Sequence, residues 1–299
     1  MLSFGVAGAG LPPDGSAWRD AARRFEAAGF TTLWMADHVG LPDPFAPLVA
    51  AATVTERLRV GTYVLNVGLW NPLLLARTAA TVDGLSGGRL VLGLGAGHNA
   101  AEFVQAGLRY PPAGERVSRL EAVVEVLPRL LAGETVDDDR LGLAGAATGL
   151  PPARPPLLVG GNGDRVLDLA GRRADAVGLV GFTSGTTAVH TDLSHWGWDG
   201  LVDRLGRARA AASGRPLAAD VLVQRVAVTD DPRAAVADLL ERGLADDLLD
   251  SPFLLVGTED ELVARLRQLE DAGVDGVTVL GGQVEAFVPV MTRYRAERG

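Results

Sequence analysis

The chain has 299 residues, of which 47% are hydrophobic, 22% charged and 5% aromatic, the make-up of a folded globular protein and not of a disordered one. Its formal charge is −9 and every one of its 28 basic residues is Arg, so lysine Schiff-base and P-loop lysine chemistry is excluded, and nucleic acid is a poor partner for so acidic a chain. Cysteine is absent, which removes thiol catalysis, disulfides and cysteine zinc sites.

The start, Met1-Leu2-Ser3-Phe4, has no basic leader, and no apolar run reaches the roughly 18 residues of a membrane span. We expect a cytoplasmic protein without a membrane partner. Strand-like runs begin near Ser3, Thr32, Val60 and Leu90, and each interval fits one strand, one helix and two loops. Between them Ser16 can cap a helix Ala17 to Ala28, Pro47 opens Leu48 to Leu58, and Pro72 opens Leu73 to Leu85. After Leu90 to Gly95 the rhythm breaks over Gly97 to Pro156, with one strong helix at Glu115 to Leu131 and then a turn-rich stretch.

The pattern resumes at Leu157 to Gly161, a helix Asp164 to Arg173, and a strand Ala176 to Val180; a second irregular stretch, Gly181 to Gly197, precedes a helix near Leu201 to Ala212. Val221 to Val228 reads as the seventh strand and Gly276 to Leu280 as the eighth, with helices at Pro232 to Arg242, Thr258 to Ala272 and Val284 to Glu297. Eight apolar strands, each followed by a helix, predict an α/β TIM (β/α)8 barrel, one domain over residues 1–299, with insertions after strands four and six. An open sheet with a second domain is the alternative.

In such a barrel the chemistry gathers at the C-terminal ends of the strands. Strand two ends on Asp37-His38, strand three on Asn66, strand four on Gly95-Ala96-Gly97-His98-Asn99, and strand five on Gly160-Gly161-Asn162-Gly163. Asp37-His38 reads either as a loop anchor or as a pair over a cofactor, with His38 able to move a proton near neutral pH. Gly95-Ala96-Gly97-His98-Asn99-Ala100 satisfies G-x-G-x-x-A but lacks the Rossmann context; its glycines better suit close approach of a flat ring. His98 and Glu102 stand at i,i+4, and His190-x-Asp192-x-x-His195 offers a similar spacing, yet neither has a recognisable third ligand, so no metal is expected. Gly160 to Arg165 is either a tight turn capped by Asp164 or an anion site at a helix N-terminus, with Arg165 adding charge. Trp70, just before the Pro72 helix, is a candidate pocket wall.

Four runs, EAAGFTTLWMADH, RLRVGTYVLNVGLWNPLLLARTAATVDGLSGGRLVLGLGAGHNAAEF, PPLLVGGNGDRVLDLAGRRADAVGL and VGTEDELVARLRQLEDAGVDGVTVL, resemble in order the bacterial luciferase-like superfamily of flavin- and deazaflavin-dependent enzymes. The segment from the third strand through LSGGRL to GLGAG is similar above all to members that use coenzyme F420. The resemblance implies a barrel, a homodimer, and a cofactor across the strand ends. It places Asp37 and His38 at the acidic and imidazole pair ending strand two, and Tyr63-Val64 where relatives commonly carry a non-prolyl cis peptide behind the ring. Asn66 ends that strand on the cofactor side. It sets Ala96, Gly97, His98 and Asn99 beside the deazaflavin, and Gly160, Gly161 and Asn162 at the phosphate side, with Arg165 replacing a lysine that some relatives use. Several relatives carry Glu or Trp at the position of His98. The implied function is hydride transfer between F420 and a small organic substrate, with His38 or His98 as proton donor. An FMN-dependent monooxygenase and a non-catalytic flavin-binding barrel are the alternatives.

Overall fold

In the computed structural model, which describes residues 1–8, 14–181, 183–184, 191–192, 195–240 and 249–298, eight parallel strands meet edge to edge. They are strand one (Ser3–Ala7), two (Thr32–Met35), three (Arg59–Thr62, continued by Leu65–Asn66), four (Leu90–Gly95), five (Leu157–Gly160), six (Ala176–Val180), seven (Ala218–Leu222) and eight (Gly276–Leu280). Strand eight pairs with strand one, Ser3 opposite Gly276 and Ala7 opposite Leu280. Strand three pairs with strand four on both sides of its break, Val60 opposite Leu90 and Leu65 opposite Leu94. The ring is therefore closed, as expected, and the open-sheet alternative falls.

Local chemistry explains the helices between the strands. The first, Gly15–Ala28, is capped by Asp14, whose Oδ1 accepts the N–H groups of Ser16 and Ala17 at 2.8 and 3.0 Å; Ser16, the expected cap, instead donates its hydroxyl to the same carboxylate. The second helix, Phe45–Ala52, starts earlier than predicted because Asp43 accepts from Phe45 and Ala46, leaving Pro47 inside the first turn. Asn71 caps Pro72–Leu85 in the expected place. Helix Ala113–Leu131 buries Leu120, Val123, Val124, Leu127 and Leu131, one stripe at helical spacing, against the outside of the barrel. An antiparallel pair, Val136–Asp138 with Leu143–Ala146, follows it and completes the insertion after strand four. The insertion after strand six contains Thr183–Ser184 paired with Thr191–Asp192.

One expectation fails. Val221 to Val228 is not a single barrel strand: Val223 makes the last barrel bond, to the Thr278 carbonyl, and Gln224 then donates to the Phe253 carbonyl. Arg225–Val228 leaves the ring and pairs in parallel with Leu254–Gly257, a strand the sequence reading missed. A continuous apolar run does not reveal where its pairing partner changes. The helix expected at Pro232 to Arg242 is broken at Val236 into Pro232–Ala235 and Ala237–Leu240, and residues 241–248 lie outside the described ones.

Alternation divides the strand side chains between two environments. On strand one, Phe4 faces outward and meets Phe287 and Tyr294 edge-on at 5.4 and 5.7 Å. Inside the ring, Trp34, Tyr63, Val91 and Leu158 form a separate cluster with Val64 against it. Tyr63 and Val64 are joined by a cis peptide at the break in strand three. A Cβ on Gly95 would come within 2.6 Å of a Val64 methyl and one on Gly160 within 2.8 Å; glycine in strands four and five is what lets Val64 fill the upper layer. Towards the N-terminal mouth the interior becomes polar, with Asp220 accepting from Thr278 at 2.8 Å beside a cavity of about 200 Å³.

Candidate active site

The C-terminal rim gathers the ends of strands two, three, four and five. Asp37 Oδ2 accepts the Asn66 N–H at 3.0 Å and the Trp70 indole N–H at 2.8 Å, so it fixes the end of strand three and the orientation of Trp70. Burial raises the pKa of its carboxyl, against the pull of those two donors. The loop-anchor reading of Asp37 is the one its contacts describe. Trp70 packs edge-on against Phe45 at 5.5 Å, and its carbonyl receives Arg119.

His38 has a different partner. Its Nδ1 lies 2.6 Å from Oε1 of Glu102, a residue only 4% exposed on the short helix Ala100–Gln105. The Asn99 side-chain amide donates to the same oxygen at 3.0 Å, while its own Oδ1 caps the helix through the Ala101 N–H. Asn99, Glu102 and His38 thus form a chain in which an acceptor-only carboxylate fixes the proton on Nδ1 and leaves Nε2 as the ring's unengaged nitrogen. The His98 ring stands edge-on to His38, with centroids 5.9 Å apart. Burial, and secondarily the neighbouring His38, lower the pKa of His98 and favour its neutral form. In the sequence Glu102 stands i,i+4 from His98, a spacing that suggests a metal ligand; in the fold it turns instead to His38. Among the described residues no group of three His, Asp or Glu could hold a metal, and His190 lies outside them.

The strand-four loop presses directly on strand three. Gly97 has φ +75°, and a Cβ there would lie 2.1 Å from Asn66 Oδ1, so only glycine fits. Asn66 Oδ1 accepts the Gly68 N–H, whereas its Nδ2 is buried without a partner. A buried amide donor of this kind is costly unless something supplies an acceptor. Ala96 is partly buried beside it.

At strand five, Gly160 and Gly161 lead into Asn162 and helix Asp164–Arg173. Arg165, expected beside this loop, is spent elsewhere: it pairs with Glu121 at 2.6 Å and with Ser118 at 3.1 Å on helix Ala113–Leu131. The cation beneath the loop is Arg204, only 4% exposed, which the sequence reading missed. It donates to Asn162 Oδ1 and to the carbonyls of Val180, His195 and Gly200. None of these acceptors carries a charge, and burial brings its pKa down to about 10. An unneutralised buried cation below a glycine loop and a helix N-terminus favours an anion there. The Tyr63 side chain is not at the rim: its ring packs on Trp34 inside the barrel, and of this pair it is Val64, set against Gly95 and Gly160, that lies toward the rim.

These features fit a flat redox cofactor with an anionic side chain: a glycine-lined rim, a buried amide without an acceptor, and an imidazole held by a carboxylate. Comparison with known proteins agrees. The sequence model of the luciferase-like monooxygenase family matches residues 2–246. The chain is 24% identical to a 5,10-methylenetetrahydromethanopterin reductase of Methanolobus tindarius, covering 85% of this chain and 86% of that protein. It is 28% identical to an F420-dependent glucose-6-phosphate dehydrogenase of Nakamurella multipartita, covering 85% and 83%. The solved F420-dependent tetrahydromethanopterin reductase of Methanopyrus kandleri superposes with a TM-score of 0.78 at 20% identity, over 98% of this chain and 99% of that one. The chain belongs to the luciferase-like monooxygenase family.

Proposed function

We propose that the protein is an F420-dependent oxidoreductase that moves a hydride between the deazaflavin and a small organic substrate. The relatives named for F420 support the cofactor. The observation that carries the reading is the Asn99–Glu102–His38 chain set beside a rim whose buried Asn66 amide lacks an acceptor. When bound, F420 supplies a two-electron hydride exchange at its ring; the residues supply everything else. Tyr63–Val64, the Asn66 side-chain amide and the Ala96–Asn99 loop are the residues that would hold the ring, Asn66 Nδ2 as a free donor. Gly160, Gly161 and Asn162, with Arg204 behind them, would hold the anionic side chain.

His38 exchanges the proton that accompanies hydride transfer, through Nε2. Glu102 holds the opposite nitrogen protonated and stabilises the imidazolium whenever Nε2 is also protonated. Neutral His98 is the second candidate and sits close enough to His38 to share the substrate. Asp37 works at one remove, by holding Trp70 and Asn66 in place. We also infer that two copies pair, with the exposed Leu74 and Leu85 of helix Pro72–Leu85 as candidate contacts; light scattering on the purified chain tests it.

Fluorescence titration tests the cofactor assignment. F420 quenching is saturable in the low-micromolar range while FMN gives none; equal or tighter FMN binding returns the chain to the monooxygenase alternative. Turnover of reduced F420 with a panel of enones and ketones, lost in His38→Ala, separates an enzyme from a non-catalytic flavin-binding barrel.

A further inference from the structure

Behind the strand-four loop, outside the barrel axis, lies a second cavity of about 340 Å³ whose wall includes Gly68, Phe103, Leu108, Arg116 and Arg119. Arg116 and Arg119 are one turn apart on helix Ala113–Leu131 and are both half-buried. Arg116 gives Nε to the Gly97 carbonyl at 2.8 Å and one terminal nitrogen to the Pro111 carbonyl at 2.6 Å, with its plane over Tyr110. Arg119 gives Nε to the Val67 carbonyl at 3.0 Å and one terminal nitrogen to the Trp70 carbonyl at 2.7 Å. Each guanidinium therefore keeps a whole terminal nitrogen unspent, on Arg116 Nη2 and on Arg119 Nη1. Neither is paired with a carboxylate among the described residues. Glu115 is the acid on this wall, and it is taken by Arg109.

Two guanidiniums without a carboxylate partner in a chain of net charge −9, on a cavity also lined by Phe103, Leu108, Pro111 and the mutually paired Arg109 and Glu115, form a defined chemical pattern. The free terminal nitrogen of each arginine can donate a charge-assisted hydrogen bond to one shared carboxylate, and the aromatic and aliphatic part of the wall suits an apolar body. We propose that this cavity is a binding site for a small organic carboxylate with an apolar body, gripped by Arg116 and Arg119. Such a carboxylate could belong to the substrate or to an acidic extension of the cofactor. The site stands independently of the F420 reading, because it needs no cofactor to form. It adjoins the rim through Gly97, whose carbonyl Arg116 holds, and it shares Ala96 with the strand-four end.

The test uses benzoate, with benzamide as its uncharged isostere, on the full chain without cofactor, read by calorimetry and by thermal shift. Benzoate binding is saturable and weakened by salt, and benzamide binds at least about tenfold more weakly. Leu108→Glu puts a competing carboxylate at an exposed position of the wall without removing either arginine's backbone bonds. It leaves the melting midpoint without ligand unchanged and weakens benzoate at least about tenfold. Arg119→Gln gives the same loss as a second route. Repeating the titration with F420 present separates the sources: competition assigns the site to the cofactor's acids, and undiminished binding assigns it to a substrate. No saturable benzoate binding, equal binding of benzamide, or undiminished binding in Leu108→Glu would each overturn the proposal. So would a change of oligomeric state in Leu108→Glu with benzoate binding intact, which would make the cavity part of a contact between copies.

Discussion

Asp220 offers a direct measurement of how the barrel interior is organised. Its carboxyl sits among Thr278, Tyr63 and Trp34 at the polar end of the ring, and burial pushes its pKa from 3.8 up to about 7, with the Thr278 hydroxyl pulling the other way. The folded state therefore holds this proton more tightly than the unfolded chain does. Stability is unaffected by the group below about pH 4, falls as pH rises from there to about 7, and is reduced by the full amount above it. With those two values the wild type loses about 2–3 kcal/mol of stability between pH 5 and pH 8.5. Asp220→Asn keeps an oxygen for the Thr278 hydroxyl and removes the titration. Urea unfolding of both proteins at pH 5 and pH 8.5, followed by tryptophan fluorescence, should show the variant gaining on the wild type by that amount as pH rises. Parallel stability curves would refute the reasoning, since they would mean that the carboxyl is as well solvated in the fold as in the unfolded chain.

Other outcomes follow from the rim. Glu102→Gln should lower kcat by roughly tenfold to a hundredfold while leaving F420 affinity unchanged, because it disturbs the fixing of His38 and not the cofactor seat; steady-state kinetics beside the fluorescence titration read both. Gly97→Ala must displace Asn66 as well as adopt a positive φ, and should cost about 1–3 kcal/mol in urea unfolding and weaken F420 binding in parallel. Arg204→Met removes the donor to the buried Asn162 side chain and to three partly buried carbonyls, and should lower stability by about 1–3 kcal/mol. The more conservative Arg204→Lys, if folded, should bind F420 with a steeper loss than a deazaflavin lacking the phosphate.

The sequence revealed most of the ring because buried parallel strands are uniformly apolar and each is followed by a helix with its own start signal. Asn71-Pro72 and the Leu90 to Gly95 run were legible for that reason. Leu254–Gly257 was not, because it lies in an apolar stretch beside residues 241–248 and pairs with Arg225–Val228, a partner that local pattern does not encode. At the rim, Asp37, His38 and Asn66 could be named from strand ends alone. The partnership of His38 with Glu102 joins residues 64 positions apart and becomes visible only when strands two and four are neighbours of the same mouth. Arg165 and Arg204 show the limit in the other direction. Chain proximity favoured Arg165, yet a side chain on a helix's outer face finds Glu121, whereas Arg204, 42 residues beyond Asn162, comes up beneath the loop from a later helix.

The layer of Trp34, Tyr63 and Val64 has a consequence for how the molecule can be altered. With Val91 and Leu158 it forms an apolar septum across the barrel interior, between the acidic mouth at one end and the glycine rim at the other. Substitutions at the mouth can be chosen for robustness, and loop exchanges at the rim for a new substrate, with each set judged without reference to the other. A residue that pierced the septum, by contrast, would couple the two ends and expose the seat of the cofactor to water from below.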